Sequence, residues 1–306
     1  MKRWHLEILI CPQCLPKESP LGIKAESQSG DEIKKGYLWC RRCRAEFPII
    51  NAIPMLLARE SPSNLYLDKD LVSNYAWLHY SDLIEKSIDN PFLHYANQLS
   101  PSKGFLDLGC GTGRLTFEMA RKTELSIGLD LSFQMIQIAQ KLYQGKSLRL
   151  RLPMEGEIRE VIQINPDPQW QRGDILFLVG DALRPPFLKG IFDSIASINL
   201  IDRVPNPIKV LKEINRLLKP QNSQLLVSDP FSWNITFTPK AKWLGGKSKG
   251  RFSGSTIKNL EEIFTGKMGI FLPPFAISQR GSIQWELRHH KNRKEVIVSE
   301  FLVGNR

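Results

Sequence analysis

The stretch "DLGCGTG", residues 107–113, constrains this chain more than any other feature. It follows the apolar pair Phe105-Leu106 and precedes a helix-like run, "RLTFEMARK". A strand that turns through glycines into a helix presents backbone N–H groups and close-approach space to a cofactor. The dinucleotide fingerprint G-x-G-x-x-G requires a third glycine at 114, where helix and strand pack closely, and this chain has Arg114 there. The pattern therefore favours a doubly wound α/β fold with a different cofactor at the turn.

The following segments continue that architecture. "LSIGLD" ends a second strand at Asp130, with Ser132 as N-cap of "FQMIQIAQKLY". "DILFLVGDA", "IFDSIASIN" and "SQLLVSDP" read as further strands, "NPIKVLKEINRLL" and "STIKNLEEIF" as helices, and "KEVIVSEFLV" as a last strand. Near-continuous apolar runs point to parallel strands covered on both faces. Helical periodicity also runs from Leu71 to Leu99, reset by Pro91. No internal repeat or low-complexity tract occurs. The sum is a Rossmann-like, mostly parallel, seven-stranded sheet over residues 71–306.

Four of the five cysteines form two C-x-x-C knuckles, "CPQC" (Cys11, Cys14) and "CRRC" (Cys40, Cys43), and only Cys110 stands apart. Glu7 interrupts the short apolar stretch at the start, and Ile10 precedes Cys11 where a lipoprotein or signal site needs a small residue. No run approaches the length of a membrane span. A cytoplasmic chain without membrane association is expected, and in that setting facing knuckles supply a closed four-thiolate Zn2+ site; a redox pair is the alternative. Short strands flank the knuckles, with Pro48 and Pro54 expected to confine theirs to sheet edges. Residues 1–57 thus read as a zinc ribbon and the polar stretch "ARESPSNLYLDKD", 58–70, as a linker. Loss of one thiolate is expected to unfold the ribbon and spare the sheet.

Residues 5–57 resemble the small zinc-ribbon family whose members activate tRNA, rRNA and release-factor methyltransferases as a separate subunit, although Asn51-Ala52 stands where members often have Asp-Gly. That resemblance implies a protein partner for the ribbon. Residues 71–304 resemble class I S-adenosylmethionine-dependent methyltransferases. The resemblance assigns Gly109, Gly111 and Gly113 to the methionine part of the cofactor, Asp107 to its amino group, Asp130 to the ribose hydroxyls, and Asp181 and Ala182 to the adenine. Cys110, Leu131 and Asn199 complete the implied cofactor set.

The acceptor is less directly encoded. An Asn-Pro-Pro-Tyr element after the fourth strand, frequent in enzymes that methylate planar amines, is replaced by "NLIDRVPNP". "NYAWLHYSD", "MEGEI", "INLIDRVPNP" and "SDPFSWNITFTPKAKWLGG" together resemble the methyltransferase domain of ovothiol biosynthesis, which methylates an imidazole nitrogen of 5-thiohistidine. His79-Tyr80-Ser81 departs from that family's His-Tyr-Gly, and the usual upstream sulfoxide synthase is replaced by the ribbon. This resemblance implies a small amino-acid-like substrate, with His79 and Tyr80 over the cofactor, Glu155 or Glu157 at an amino group or ring proton, and Asp202 and Arg203 at the substrate's charged groups. The plain readings of the same residues are helix packing for His79 and Tyr80 and an exposed turn for the two glutamates. Trp233, Trp243, Gly245 and Gly246 are either a lid or core. A net charge of +11, with basic stretches at "PKAKWLGGKSKGR" and "RHHKNRK", leaves RNA as the competing acceptor.

Overall fold

In the computed structural model, residues 1–61, 69–85, 88–171 and 173–306 are described. The chain begins with four strands, β1 (Leu21–Ser29), β2 (Glu32–Cys40), β3 (Glu46–Ile50) and β4 (Ile53–Leu56). Two helices follow, α1 (Lys69–Tyr80) and α2 (Pro91–Gln98), then β5 (Ser102–Leu108), α3 (Arg114–Ala120), β6 (Thr123–Asp130) and α4 (Phe133–Tyr143). A hairpin of β7 (Leu148–Glu155) and β8 (Ile158–Ile164) precedes β9 (Asp174–Gly180), β10 (Ser194–Ile198), α5 (Pro207–Leu217) and β11 (Gln224–Asp229). The chain closes with α6 (Thr256–Phe264), β12 (Ala276–His290) and β13 (Arg293–Asn305).

Local signals explain the element boundaries. Ser132 caps α4 by accepting the Met135 N–H, and Asn90 caps α2 ahead of Pro91. The seven expected strands are present in the order β9-β6-β5-β10-β11-β13-β12, parallel from β9 to β11, with β13 antiparallel to its neighbours.

The ribbon does not stand apart from this sheet. Its strands continue it as β1-β2-β3-β4-β9, so a single sheet of eleven strands spans both regions. The junction is parallel, Met55 opposite Val179 and Leu56 opposite Gly180. This corrects the expectation that Pro48 and Pro54 mark edges. Pro54 faces β3, opposite Ile49, and the two residues after it carry the register to β9, so the missing N–H falls outside the pairing with β9. The proposed linker, 58–70, lies largely on 62–68, outside the described residues, and α1 starts at Lys69.

Among the described residues no helix covers the connection from β9 to β10, and the ribbon's first residues pack there instead. Leu9 bridges Phe187, the Ile10 N–H donates to the Pro186 carbonyl at 2.9 Å, and the Leu188 N–H to Ile8 at 3.2 Å. One hydrophobic core runs through both regions, from Leu9, Ile33, Leu38, Phe47 and Leu56 to Leu106, Leu176 and Phe187. The β7–β8 hairpin, for which the sequence gave only an insert, forms a separate two-stranded sheet beyond α4.

Candidate cofactor and acceptor site

The glycine turn leaves β5 at its C-terminal end, where open parallel sheets bind ligands. Gly109, Gly111 and Gly113 all have positive φ, at 84°, 54° and 88°. A Cβ at Gly113 would lie 2.7 Å from the Phe177 ring and 2.9 Å from Ala139, so this glycine serves helix-to-strand packing, the task the dinucleotide motif gives to its third glycine. The turn is tied to the next strand by the Gly109 and Cys110 N–H groups, both donating to the Leu129 carbonyl, at 2.8 and 3.0 Å. Cys110 is buried and Leu131 half-buried.

Three carboxylates lie at consecutive strand ends. Asp107 is buried and accepts from Thr116 Oγ1 at 2.8 Å. Burial, with the charge of Asp130 adding to it, lifts its carboxyl to about 7. Asp130 accepts the Gly111 N–H at 2.9 Å and the Ser132 N–H at 2.8 Å, and burial raises its pKa. These bonds fix the carboxylate while leaving lone pairs for two adjacent hydroxyls. Asp181 accepts the Leu183 N–H at 2.8 Å beside the buried Ala182. Asn199, in the left-handed region after β10, accepts from Ser299 Oγ at 2.7 Å.

Helix α1 crosses the turn with Tyr75, His79 and Asp82 along one side. A Cβ at Gly111 would lie 3.1 Å from His79 Nε2, and His79 Nδ1 accepts the Arg114 N–H at 3.4 Å. His79 is buried, and burial first, then Arg114, lowers its pKa to about 3. The ring is therefore neutral. The Tyr80 hydroxyl, fully buried, donates to the Thr112 carbonyl. Arg114, which displaces the dinucleotide glycine, donates to both Asp82 oxygens at 2.8 and 2.9 Å and to Glu118 at 3.0 Å. These groups brace the turn from behind.

Past β10 and β11 lies a second carboxylate pair. Asp202 and Asp229 are fully buried; the Asp202 N–H donates to Asp229 at 3.3 Å and Ser232 Oγ to Asp202 Oδ2 at 3.2 Å. Asp202 Oδ1 is 3.2 Å from Arg203 Nε yet receives no hydrogen bond. Burial, then the adjacent Asp202, pushes Asp229 well above the carboxylate range, so the pair holds a proton near neutral pH. The Arg203 guanidinium lies 4.9 Å over the Phe237 ring.

Tyr75 was not singled out from the sequence. Burial raises its phenol pKa; Arg203 opposes the shift, while Asp202 and Asp130 add to it, which places the ring between the cofactor strand ends and the Asp202–Arg203 pair. Its position one turn before His79 on a helix over the glycine turn was the available signal. Glu155 and Glu157 are exposed at the β7–β8 tip, and no hydrogen bond or ion pair joins them to Asp202, Arg203 or the turn among the described residues. Trp233 and Trp243 stack at 6.1 Å and donate to Thr256 and Thr238, pinning the segment after β11 against α6.

The four ribbon sulfurs converge to within 4.8 Å of one another, with Cys11–Cys43 at 3.6 Å and Cys14–Cys40 at 3.8 Å. Tetrahedral Zn2+ with bonds of about 2.3 Å requires S···S separations near 3.8 Å, so the set fits a closed structural zinc.

Comparison with known proteins agrees with this geometry. Residues 106–225 match the methyltransferase domain family and residues 2–51 the Trm112p-like protein family. A demethylmenaquinone methyltransferase of Lactococcus lactis is 35% identical over 118 residues, 38% of this chain and 37% of the relative. A ubiquinone biosynthesis O-methyltransferase of Coxiella burnetii is 26% identical over 169 residues, 52% of this chain and 62% of the relative. The chain thus matches less than two thirds of the length of either relative. A solved SAM-dependent methyltransferase from Methanosarcina mazei superposes with a TM-score of 0.45 at 18% identity, over 71% of this chain and 98% of the other. Among the described residues no helix is long and apolar enough to cross a membrane. The chain joins a Trm112p-like zinc ribbon to a class I S-adenosylmethionine-dependent methyltransferase domain of Rossmann-like fold.

Proposed function

We propose that the chain transfers the S-adenosylmethionine methyl group to a small amino-acid-like acceptor bearing an imidazole or thiol, 5-thiohistidine being the acceptor suggested by sequence resemblance. The observation that carries this reading is the Asp202–Arg203 pair past β10: a half-exposed guanidinium beside a buried carboxylate oxygen that no donor satisfies. A cation and an anion side by side match the carboxylate and ammonium of a zwitterion. In this reading Gly109, Cys110, Gly111 and Gly113 line the methionine part of the cofactor, Asp107 takes its amino group, Asp130 and Leu131 the ribose, Asp181 and Ala182 the adenine, and Asn199 the reacting end. Tyr75 closes over the site, while His79 and Tyr80 hold the turn. Residues 1–57 act as a built-in subunit of the domain formed by 71–306. Methyl transfer at a sulfonium asks chiefly for alignment of the acceptor lone pair, which these rigid strand ends supply.

The test is an isotope-labelled methyl-transfer assay with 5-thiohistidine, a demethylated quinol and total RNA as separate acceptors. Label in the thiohistidine is expected. Label confined to the quinol would move the chain toward the activity named for its relatives, and label confined to RNA would make the basic surface the acceptor site.

A further inference from the structure

Outside the cofactor region a cavity of about 1,200 Å³ runs along the outer face of α4. The ribbon forms one wall, with Lys34 and Asn51, and the β7–β8 hairpin the other, with Arg149, Arg151 and Arg159. Helix α4 supplies the floor, with Gln137 and Lys141 among its residues. We propose that this groove binds the sugar–phosphate backbone of a nucleic acid.

Charge is the first ground. Six cationic residues line the groove, Lys34, Lys141, Lys146, Arg149, Arg151 and Arg159, against two acids, Asp70 and Glu157. Arg159 is paired with Asp70 at 2.8 Å and Lys34 with Glu32. Lys141, Arg149 and Arg151 are exposed and form no ion pair among the described residues, and Lys146 meets only the Gln144 amide, at 3.1 Å. Cations held together with no internal partner raise the local potential for an anion. Arg149 and Arg151, two apart on β7, point to the same side of the hairpin, whose other side is buried through Leu148, Leu150 and Leu152.

Shape and chemistry make the ligand a strand. Small-ligand pockets hold about 300–1,000 Å³, and this groove is larger and open. At a rise of about 1.5 Å per residue, α4 from Gln134 to Gln144 runs roughly 15 Å, a length for a row of phosphates rather than one. No aromatic residue lines the groove, so bases are not stacked there, and the glutamines with Asn51 add amides suited to sugar and phosphate oxygens. Helix α1 lends Asp70, Val72 and Ser73 to the groove, while its Tyr75 belongs to the acceptor site. The proposal is thus independent of which group is methylated. The groove exists only because the ribbon and the methyltransferase domain share a sheet.

The experiment is equilibrium binding of the full chain to oligo(U), oligo(A) and the corresponding DNA strands between 50 and 200 mM salt, without cofactor. Binding that falls steeply with salt and differs little between bases is expected. The Lys141→Glu, Arg149→Glu, Arg151→Glu variant should lose at least tenfold in affinity and about two units of salt slope. The same residues changed to Gln should give a smaller loss in the same direction. S-adenosylmethionine affinity and thermal unfolding of these variants should match the parent, which separates failure here from failure of the acceptor reading. The RNA and DNA arms identify the source of the strand, and binding of either supports the site. Salt-insensitive binding, a strong preference for one base, a loss seen only when Lys240 and Lys242 are reversed, or binding of tripolyphosphate without any strand would overturn it.

Discussion

The ribbon and the methyltransferase domain are held by different forces, and their junction shows how a small element is made stable. The methyltransferase domain buries whole strands, such as Ile175 to Val179 and Leu225 to Val227, beneath amphipathic helices. The ribbon has few apolar residues of its own, and its turns are fixed by four thiolates instead. It also shares its neighbour's core and sheet. The Met1 ammonium donates to the Ala52 carbonyl at 3.0 Å, Lys2 pairs with Asp174 at 3.0 Å, and Arg216 reaches Glu18 at 3.4 Å while donating to Pro185 and Phe187. Arg184, three residues past Asp181, donates to the Pro12 carbonyl between the first two cysteines. The knuckle and the adenine-side loop are therefore one mechanical unit.

The largest expected effect breaks that unit. Cys40→Ser removes one thiolate from a site whose metal contributes of order 10 kcal/mol to folding. The shared sheet and core change the sequence-based expectation that only the ribbon would respond. Zinc content should fall to near zero, amide exchange should rise in β1 to β4 and also in β9 and 181–189, and S-adenosylmethionine affinity should drop at least tenfold. Exchange confined to the ribbon with unchanged cofactor affinity would show that the junction is passive.

What could be read from the sequence follows the range of the interactions. The glycine turn, the strand-end aspartates and the C-x-x-C pairs are local patterns, and each stands where its spacing implied. The pairing of β4 with β9 joins Leu56 to Gly180 across more than a hundred residues, and no local pattern encodes it. Pro54 even argued against it, because proline excludes a strand from a sheet interior only where its N–H is needed. Tyr75 and Asp229 were passed over for the same reason: their roles come from groups on other strands, Asp130 and Asp202. Glu155 and Glu157 were chosen from a resembling segment, and the hairpin that carries them sets them at an exposed tip.

The second effect probes the brace behind the turn, which holds the methyltransferase side as zinc holds the ribbon. His79 is neutral, with a folded pKa near 3 against about 6.5 unfolded. A lowered histidine pKa stabilises fully above 6.5, and that stability is lost as pH falls toward 3, at roughly 1.4 kcal/mol per unit for an isolated site. Urea unfolding at pH 7 and pH 5 should show a loss about 2 kcal/mol greater in the parent than in His79→Asn, in which no such proton is taken up. Equal losses would mean that the ring is solvated.

A smaller effect separates cofactor binding from folding. Asp130→Ala leaves two ribose hydroxyls and the Gly111 and Ser132 N–H groups without their acceptor, and S-adenosylmethionine should bind about 30-fold more weakly, ~2 kcal/mol. Zinc content should not change. Calorimetry giving parental affinity would remove Asp130 from the cofactor site.

The smallest effect tests the acceptor end, the part of the molecule farthest from the metal. Arg203 is about a third exposed, so water screens its pairing and only a moderate loss is expected. Arg203→Ala should raise the KM for a zwitterionic acceptor about tenfold, ~1.4 kcal/mol, because the carboxylate loses a forked partner. The kcat should change little if the guanidinium binds ground and transition states alike, and cofactor affinity should stay at the parental value. Arg203→Lys keeps the charge without the fork and should recover part of the loss. An acceptor lacking its carboxylate should be insensitive to both substitutions. If that acceptor loses as much as the zwitterion, Arg203 acts through Asp202 and the segment after β10, and the anion is recognised elsewhere.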